Sequence, residues 1–102
     1  MLKRCSLIEN RDVRYDDEHA IVIVENRVLR FSPTEYKVMR VLLTQKIATR
    51  EALVKALSLQ SIEEAAPEQL TKYVYKVRRK VQAYGIYVSL VHDHGYMLVA
   101  AS

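Results

Sequence analysis

Residues 67–83 read PEQLTKYVYKVRRKVQA, and this stretch decides the fold. Its apolar residues recur at helical steps, and they are Leu70, Val74, Val77 and Val81. At about 100° per residue these four positions lie within roughly 60° of arc, which predicts one buried face of an α-helix. Pro67 suits the first helical position, and Gly85 suits a position just past the C-terminus. We therefore predict a helix from about Pro67 to Ala83.

The opposite side of this helix is basic. Five basic residues and one acidic residue lie between Glu68 and Gln82, so this segment alone carries a formal charge of +4. The whole chain also carries +4, so all other residues sum to zero. Charge confined to one segment indicates a positive face directed at a polyanion, although a plain solvated helix surface is the alternative. The candidate contact residues are Gln69, Lys72, Tyr75, Lys76, Arg78, Arg79 and Lys80.

Duplex DNA is the polyanion that such a helix fits. We expect Lys72, Lys76 and Arg79 to bind DNA, because each neutralised phosphate releases condensed counterions. Arg78 and Lys80 flank the face and are expected to contact phosphates. Base reading requires hydrogen-bonding groups at the floor of a groove, with Gln suited to adenine and Lys to guanine. The candidate base readers are Gln69, Lys72, Tyr75 and Lys76.

The preceding segment carries its own helix start signals. Ser32-Pro33-Thr34-Glu35 supplies a Ser N-cap, a Pro at the first helical position and a Glu at the third, which form a capping box. The apolar residues that follow keep a helical spacing to about Thr44. A second helix is expected to start at Thr49, with Glu51 in its first turn. Residues Ser58 to Ala66 lack a strong apolar period and are predicted to form a loop.

Short extended segments flank the helices. From Ser6 to Phe31, apolar residues alternate with charges or form β-branched runs, with polar breaks at residues 16–18 and 25–26, which predicts a small antiparallel sheet. Near the C-terminus, Ile86–Val91 and Tyr96–Ala100 are apolar runs joined by a polar turn, which predicts a β-hairpin. The fold class is therefore α+β, in three parts of one domain: an N-terminal antiparallel sheet (1–31), three helices (32–85) and a hairpin (86–102).

These parts, in this order, are those of a winged helix-turn-helix. In that architecture the last helix enters the major groove, and the hairpin, called the wing, lies along the backbone or minor groove. A length of 102 residues fits one such domain with one core.

Composition excludes several other classes of protein. Half of the residues are hydrophobic and 27% are charged, as in ordinary soluble globular proteins. The longest apolar run covers residues 20–24, far short of the roughly 20 residues that span a bilayer, and the N-terminus lacks the apolar stretch of a secretory signal. Cys5 is the one cysteine, which excludes an internal disulfide and fits a reducing compartment. We therefore expect a cytoplasmic protein with no membrane partner.

We expect neither catalysis nor a cofactor. The sequence has no glycine-rich phosphate loop, no nucleophile elbow and no carboxylate pair at an acid/base spacing, so it does not indicate an enzyme. The triplet His92-Asp93-His94 is the metal-ligand candidate. Adjacent residues on one turn cannot complete the tetrahedral coordination of a zinc ion without a further Cys or His ligand. His19, the remaining histidine, is far away in the sequence. No metal site is therefore predicted.

Four segments occur in an order and spacing that resemble a known family. They are FSPTEYKVMRVLL (31–43), ATREALVKAL (48–57), LTKYVYKVRRKV (70–81) and VHDHGYMLV (91–99). Together they are similar to the signature segments of the OmpR/PhoB-type effector domain of bacterial response regulators, over nearly the whole chain. The resemblance implies a four-stranded N-terminal sheet, a recognition helix at about Pro67 to Ala83 and a wing at Val91 to Tyr96. It also implies a bacterial transcription regulator that binds double-stranded DNA.

The wing and the recognition helix depart from that family's pattern. Family members usually place an Arg at the position of His92 and a second basic residue at the position of Met97. A neutral imidazole carries no charge and donates at most one hydrogen bond, so it attracts the minor groove less than Arg does. His92 and His94 are nevertheless the candidate DNA contacts of the wing. On the helix, we expect Tyr73 to pack in the core and Tyr75 to be exposed.

The resemblance implies further partners. The loop from Ser58 to Ala66 corresponds to the family segment that can touch RNA polymerase, and Glu63 and Glu64 suit a basic partner; a plain solvated loop is the alternative. A homodimer on paired half-sites is the usual way for a small domain to gain specificity. Family members also normally follow a receiver domain.

The rival function is a winged-helix protein-interaction module that does not read DNA, because a fold alone does not settle function. The atypical wing favours this rival. The charge confined to one helix favours sequence-specific DNA binding, which we predict.

Overall fold

Antiparallel strands open the chain, and helices and a hairpin follow. The computed structural model describes residues 2–58 and 67–100. Within these residues the helices are α1 (Pro33–Thr44), α2 (Arg50–Ser58) and α3 (Pro67–Gln82). The strands are β1 (Lys3–Arg4), β2 (Val13–Asp16), β3 (Ile21–Val24), β4 (Arg27–Arg30), β5 (Ala48–Thr49), β6 (Ile86–Val91) and β7 (Gly95–Ala100).

The predicted N-terminal antiparallel sheet is confirmed, with the four strands that the resemblance implied. Its strand order is β1-β2-β3-β4, and its register pairs Val13 with Val24 and Tyr15 with Val22. These inward residues are buried, because successive side chains of a strand point to opposite faces. The outward face carries Arg4, Arg14 and Arg30 around half-exposed aliphatic residues, and we call it the outer sheet face. The first expected break starts one residue later than predicted, at Asp17, because Asp16 belongs to β2.

The capping box predicted for α1 is confirmed. The backbone N–H of Glu35 donates to Ser32 Oγ at 3.2 Å, and the N–H of Ser32 donates to Glu35 Oε1 at 3.0 Å. The helix ends at Thr44, as its apolar spacing predicted. At α2, the N–H of Ala52 donates to Thr49 Oγ1 at 3.1 Å, so Thr49 caps the helix, which starts at Arg50, one residue after the predicted start.

Strand β5 was not predicted. It contains two residues, which is too short for a sequence pattern, and it forms only because Ala48 and Thr49 pair with Tyr96 and Gly95 of β7. The helix α2 includes Ser58, one residue into the predicted loop. The remainder of that loop, 59–66, lies outside the described residues.

The predicted core face of α3 is confirmed: Leu70, Val74, Val77 and Val81 are all buried. The helix ends at Gln82, one residue earlier than predicted, and the N–H of Gly85 donates to the carbonyl of Gln82 at 3.1 Å. Gly85 has a φ of +77°, the left-handed conformation of a helix C-cap. All three helices and both sheets contribute to one core cluster, so the helices cover the sheet face that could not be stable alone.

The predicted hairpin is confirmed. β6 and β7 pair from Ile86 with Ala100 to Val91 with Gly95, and the connecting turn is His92-Asp93-His94. The N–H of His94 donates to the carbonyl of Val91 at 2.9 Å, and Asp93 takes a positive φ of +62°. Within the described part of the chain, no helix combines the length and apolar character needed to cross a membrane.

Candidate nucleic-acid interface

The exposed side of α3 carries most of the cations that the sequence assigned to it. Burial of the apolar stripe turns the opposite side to solvent, because the two sides of a helix are fixed by its 3.6-residue period. Tyr75 is 54% exposed, which confirms its predicted position. Gln69 is also exposed. The exposed cations, which we call the basic face, are Lys72, Lys76, Arg78 and Arg79.

Two lysines of the basic face flank the ring of Tyr73. The ring is half-buried and packs against the core, so its predicted packing is confirmed at the core's edge and not in its centre. Lys72 Nζ lies 5.7 Å and Lys76 Nζ 5.5 Å from the ring centroid. These are cation–π distances, which at exposed sites contribute about 0.5 to 1 kcal/mol each. A tyrosine anchored in the core thus holds two ammonium groups side by side.

Arg79 is positioned by the other tyrosine of the helix. Its Nη1 donates to the hydroxyl of Tyr75 at 3.1 Å, and its guanidinium carbon lies 5.8 Å from that ring's centroid. This hydrogen bond raises the pKa of Arg79, so its charge is permanent at any physiological pH. The pair borders an open surface depression lined by Tyr75, Arg78, Arg79, Gln82 and Ala83. The depression offers room for an anion beside two guanidinium groups.

Lys80 makes an intramolecular attachment that the sequence did not predict. Its Nζ donates to Glu35 Oε1 at 2.8 Å and to the carbonyl of Arg30 at 3.0 Å, and it lies 5.2 Å from the ring centroid of Phe31. Its ammonium therefore attaches α3 to the start of α1, and its predicted phosphate contact stays a prediction. The sequence could not show this, because Glu35 lies 45 residues earlier.

Glu35 is the anionic half of this attachment. Burial alone would raise the pKa of its carboxyl, but the hydrogen bonds from Lys80 and from the backbone of Ser32 outweigh burial, so the pKa lies below its usual value. The carboxylate thus serves the capping box and the ion pair together.

The wing turn and the start of α2 form a second candidate contact region. His92 and His94 are exposed, and His92 Nε2 lies 3.3 Å from Asp93 Oδ2. Sequence reasoning missed Arg50, the first residue of α2. Its signal was indirect, because it follows Thr49, which pairs with the wing residue Gly95. A cleft of about 500 Å³, which we call the wing cleft, is lined by Arg50, Leu90, Val91, His92, Asp93, His94, Gly95 and Tyr96.

A third polar network joins the N-terminal sheet to α1. Asp17 accepts hydrogen bonds from Tyr36 at 2.8 Å, Arg40 at 2.9 Å and Lys3 at 3.4 Å. Burial would raise the pKa of Asp17, but the bonds from Arg40 and Tyr36 outweigh it and the pKa is lowered. The pKa of Tyr36 is raised by burial and by the Asp17 carboxylate. These hydrogen bonds connect the N-terminal sheet to α1.

One cluster among the described residues has the ligand types of a metal site. Single atoms of Asp16, Glu18 and His19 lie within 4.8 Å of one another. The carboxylate of Asp16 already accepts the N–H of Glu18 at 2.9 Å and contacts His19 Nδ1 at 2.8 Å. These hydrogen bonds form the turn after β2 and account for the close approach, so we do not assign a metal to it.

Comparison with known proteins gives one family and several similar structures. The family model described as "Transcriptional regulatory protein, C terminal" matches residues 26–98. The DNA-binding domain of the response regulator AdeR, solved with an intercistronic region, is 24% identical with a TM-score of 0.69, covering 87% of this chain and 95% of that one. The DNA-binding domain of E. coli CadC is 14% identical with a TM-score of 0.68, covering 99% and 96%.

A third similar structure is longer than this chain. It is a redox sensor of the streptococci, described as evolved from two-component response regulators, at 22% identity and a TM-score of 0.73. The match covers 99% of this chain but only 44% of that one, so the chain spans less than half of that structure. A search of curated proteins gives no match.

Proposed function

Because the chain belongs to the family of transcriptional regulatory protein C-terminal domains, of the OmpR/PhoB effector type, we propose that it binds double-stranded DNA in a sequence-specific manner. In this proposal α3 enters the major groove and the wing contacts the backbone or minor groove. The family is a regulatory one and not a class of enzymes.

The observation that carries the proposal is the basic face of α3. Among the described residues, no carboxylate lies within ion-pair distance of Lys72, Lys76, Arg78 or Arg79, whereas Lys80, on the same helix, is paired with Glu35. Lys72, Lys76 and Arg79 contact tyrosine side chains, which carry no negative charge, so their own charge stays available to an external anion. Each phosphate that such a cation neutralises steepens the dependence of log K on log salt by about 0.9.

We assign DNA sequence specificity to the residues on the exposed side of α3 that can reach the edges of bases in the major groove. The candidate base readers remain Gln69, Lys72, Tyr75 and Lys76, which are exposed on neighbouring turns of α3. Arg78 and Arg79 border the open surface depression and are assigned to phosphates. His92 and His94 supply the wing contacts. A homodimer on paired half-sites and an RNA polymerase contact through residues 58–66 stay predictions.

A salt series with charge-matched variants tests the proposal. The first variant, Lys72→Gln/Lys76→Gln/Arg79→Gln, removes three charges from α3. The control, Arg4→Gln/Arg14→Gln/Arg30→Gln, removes three charges from the outer sheet face. Binding to a random-sequence duplex library is followed by fluorescence anisotropy. We expect the α3 variant to lose up to about 2.7 units of salt slope, at about 0.9 per phosphate, and the control to keep the slope of the parent chain.

The protein-interaction rival predicts a different result. If the parent chain shows no binding at about 50 mM salt, while circular dichroism shows an intact fold, the DNA proposal is wrong. Equal losses in the two variants would also contradict it, because net charge and not the α3 surface would then govern binding.

A further inference from the structure

The wing cleft has a charge that depends on protonation. The charged or titratable groups that line it are Arg50 from α2, Asp93, His92 and His94 from the wing turn, and Tyr96 from β7. With both imidazoles neutral, the charges of Arg50 and Asp93 cancel. With both protonated, the cleft carries a net charge of +2. Histidine is the side chain whose charge ordinarily changes between about pH 5 and 8, so this difference falls in a physiological range.

The ion-pair contact of His92 in the described structure is with Asp93 on the same turn. The side chains of His92 and Asp93 are 90% and 81% exposed, and their contact of 3.3 Å is a weak surface pair. A phosphate can therefore replace Asp93 as the partner of His92 without burying either group.

The fold places Arg50 beside the two imidazoles through a close backbone contact. A Cβ on Gly95 would lie 2.1 Å from the carbonyl oxygen of Ala48, so only glycine lets β5 pair at this point. Because Arg50 directly follows β5, this pairing brings Arg50 to the lining of the wing cleft. The cleft therefore holds Arg50, which is always charged, and His92 and His94, which are charged only when protonated, and it is large enough for a phosphate.

We propose that the wing cleft binds a backbone phosphate of DNA in its protonated form, so that DNA binding tightens as pH falls below neutrality. This inference rests on the proposed function. A phosphate stabilises imidazolium over imidazole, so the complex takes up protons that the free protein lacks. By linkage, affinity rises as pH falls and is lowest at alkaline pH. A wing that carries Arg instead would show no such dependence.

Matched variants separate this effect from others. His92→Gln/His94→Gln keeps the wing neutral at every pH, and His92→Arg/His94→Arg keeps it charged. His19→Gln removes the third histidine of the chain, which lies at the turn after β2 and outside the cleft. Affinity for a duplex selected from the library is measured by anisotropy from about pH 8 to about pH 5.5 at constant salt.

We expect the parent chain and His19→Gln to tighten about fivefold over this range, from two exposed charge pairs. We expect His92→Gln/His94→Gln to bind the duplex weakly at every pH. We expect His92→Arg/His94→Arg to bind it tightly at every pH. In parallel, NMR titration of the imidazole resonances should show protonation of His92 and His94 at higher pH when the duplex is bound. If the parent chain binds DNA but the affinity of His92→Gln/His94→Gln depends on pH in the same way, the wing-cleft inference is overturned while DNA binding stands. If the parent binds no duplex at any pH, both proposals fall.

Discussion

Replacement of Gly95 by Ala is predicted to detach the wing from the start of α2. The new Cβ would lie 2.1 Å from Ala48 O and 2.9 Å from both Ala48 C and Thr49 Cα, all of them backbone atoms. Real Cβ atoms essentially never lie closer than 3.0 Å to such atoms, so the strands must separate by about 1 Å. Strand β5 has only two residue pairs with β7, and both are lost.

The size of the effect follows from two contributions. Lost backbone hydrogen bonds contribute about 1 kcal/mol each, and the φ of +147° at Gly95 adds about 1 to 3 kcal/mol of strain for alanine. We therefore expect the free energy of unfolding to fall by about 3 kcal/mol, and Tm to fall by about 15 °C for a domain of this size.

Gly85→Ala is the matched control. Gly85 also has a positive φ, +77°, but a Cβ there meets only Arg11 Nη1 at 2.7 Å, the end of a flexible side chain. The left-handed conformation then accounts for most of the loss, about 1 kcal/mol. Urea unfolding followed by circular dichroism compares the two variants. If Gly95→Ala loses no more stability than Gly85→Ala, the close contact between β5 and the wing is not a determinant of the fold.

Two further predictions concern the attachments of α1. Lys80→Ala is expected to lower the free energy of unfolding by about 1 kcal/mol in urea melts, because it breaks the ion pair with Glu35. Lys76→Ala is expected to weaken DNA binding and to leave the free energy of unfolding within about 0.5 kcal/mol of the parent value. Equal stability losses in the two variants would contradict these separate roles. The pKa values of Glu35 and Asp17 are lowered by folding, so their contribution to stability is present above the unfolded pKa values and is lost as pH falls through the folded ones. Stability should therefore decline below about pH 4.5, and the decline should be shallower in Glu35→Gln; an unchanged acid limb in that variant would refute the assignment.

Much of the fold follows from local signals in the sequence. The capping box at Ser32, the apolar stripe of α3 and Gly85 at its end are short-range patterns, and the structure confirms each of them. Local sequence and tertiary packing agree at these points, which is the condition for a sequence to specify one fold. The basic face of α3 follows from the same periodicity, because burial of one side defines the other.

The sequence does not predict the contacts between residues that are distant in the chain. The pair between Lys80 and Glu35 is one of them, because a local pattern cannot join residues that lie 45 positions apart. Arg50 was overlooked because its place in the site depends on the pairing of β5 with β7, and β5 is too short to leave a pattern. The helical spacing of apolar residues predicts the side of the helix on which a residue lies, but it does not predict which other helix or strand that residue contacts.

Mapping of the DNA contact by NMR tests the central claim most directly. The isotope-labelled chain is titrated with a selected duplex, and amide shift changes are followed across the described residues. The account predicts saturable changes concentrated on residues 69–79 of α3 and on the wing turn 92–94, with the outer sheet face around Arg14 unchanged. Changes centred on the outer sheet face, or no saturable change on α3, would contradict it.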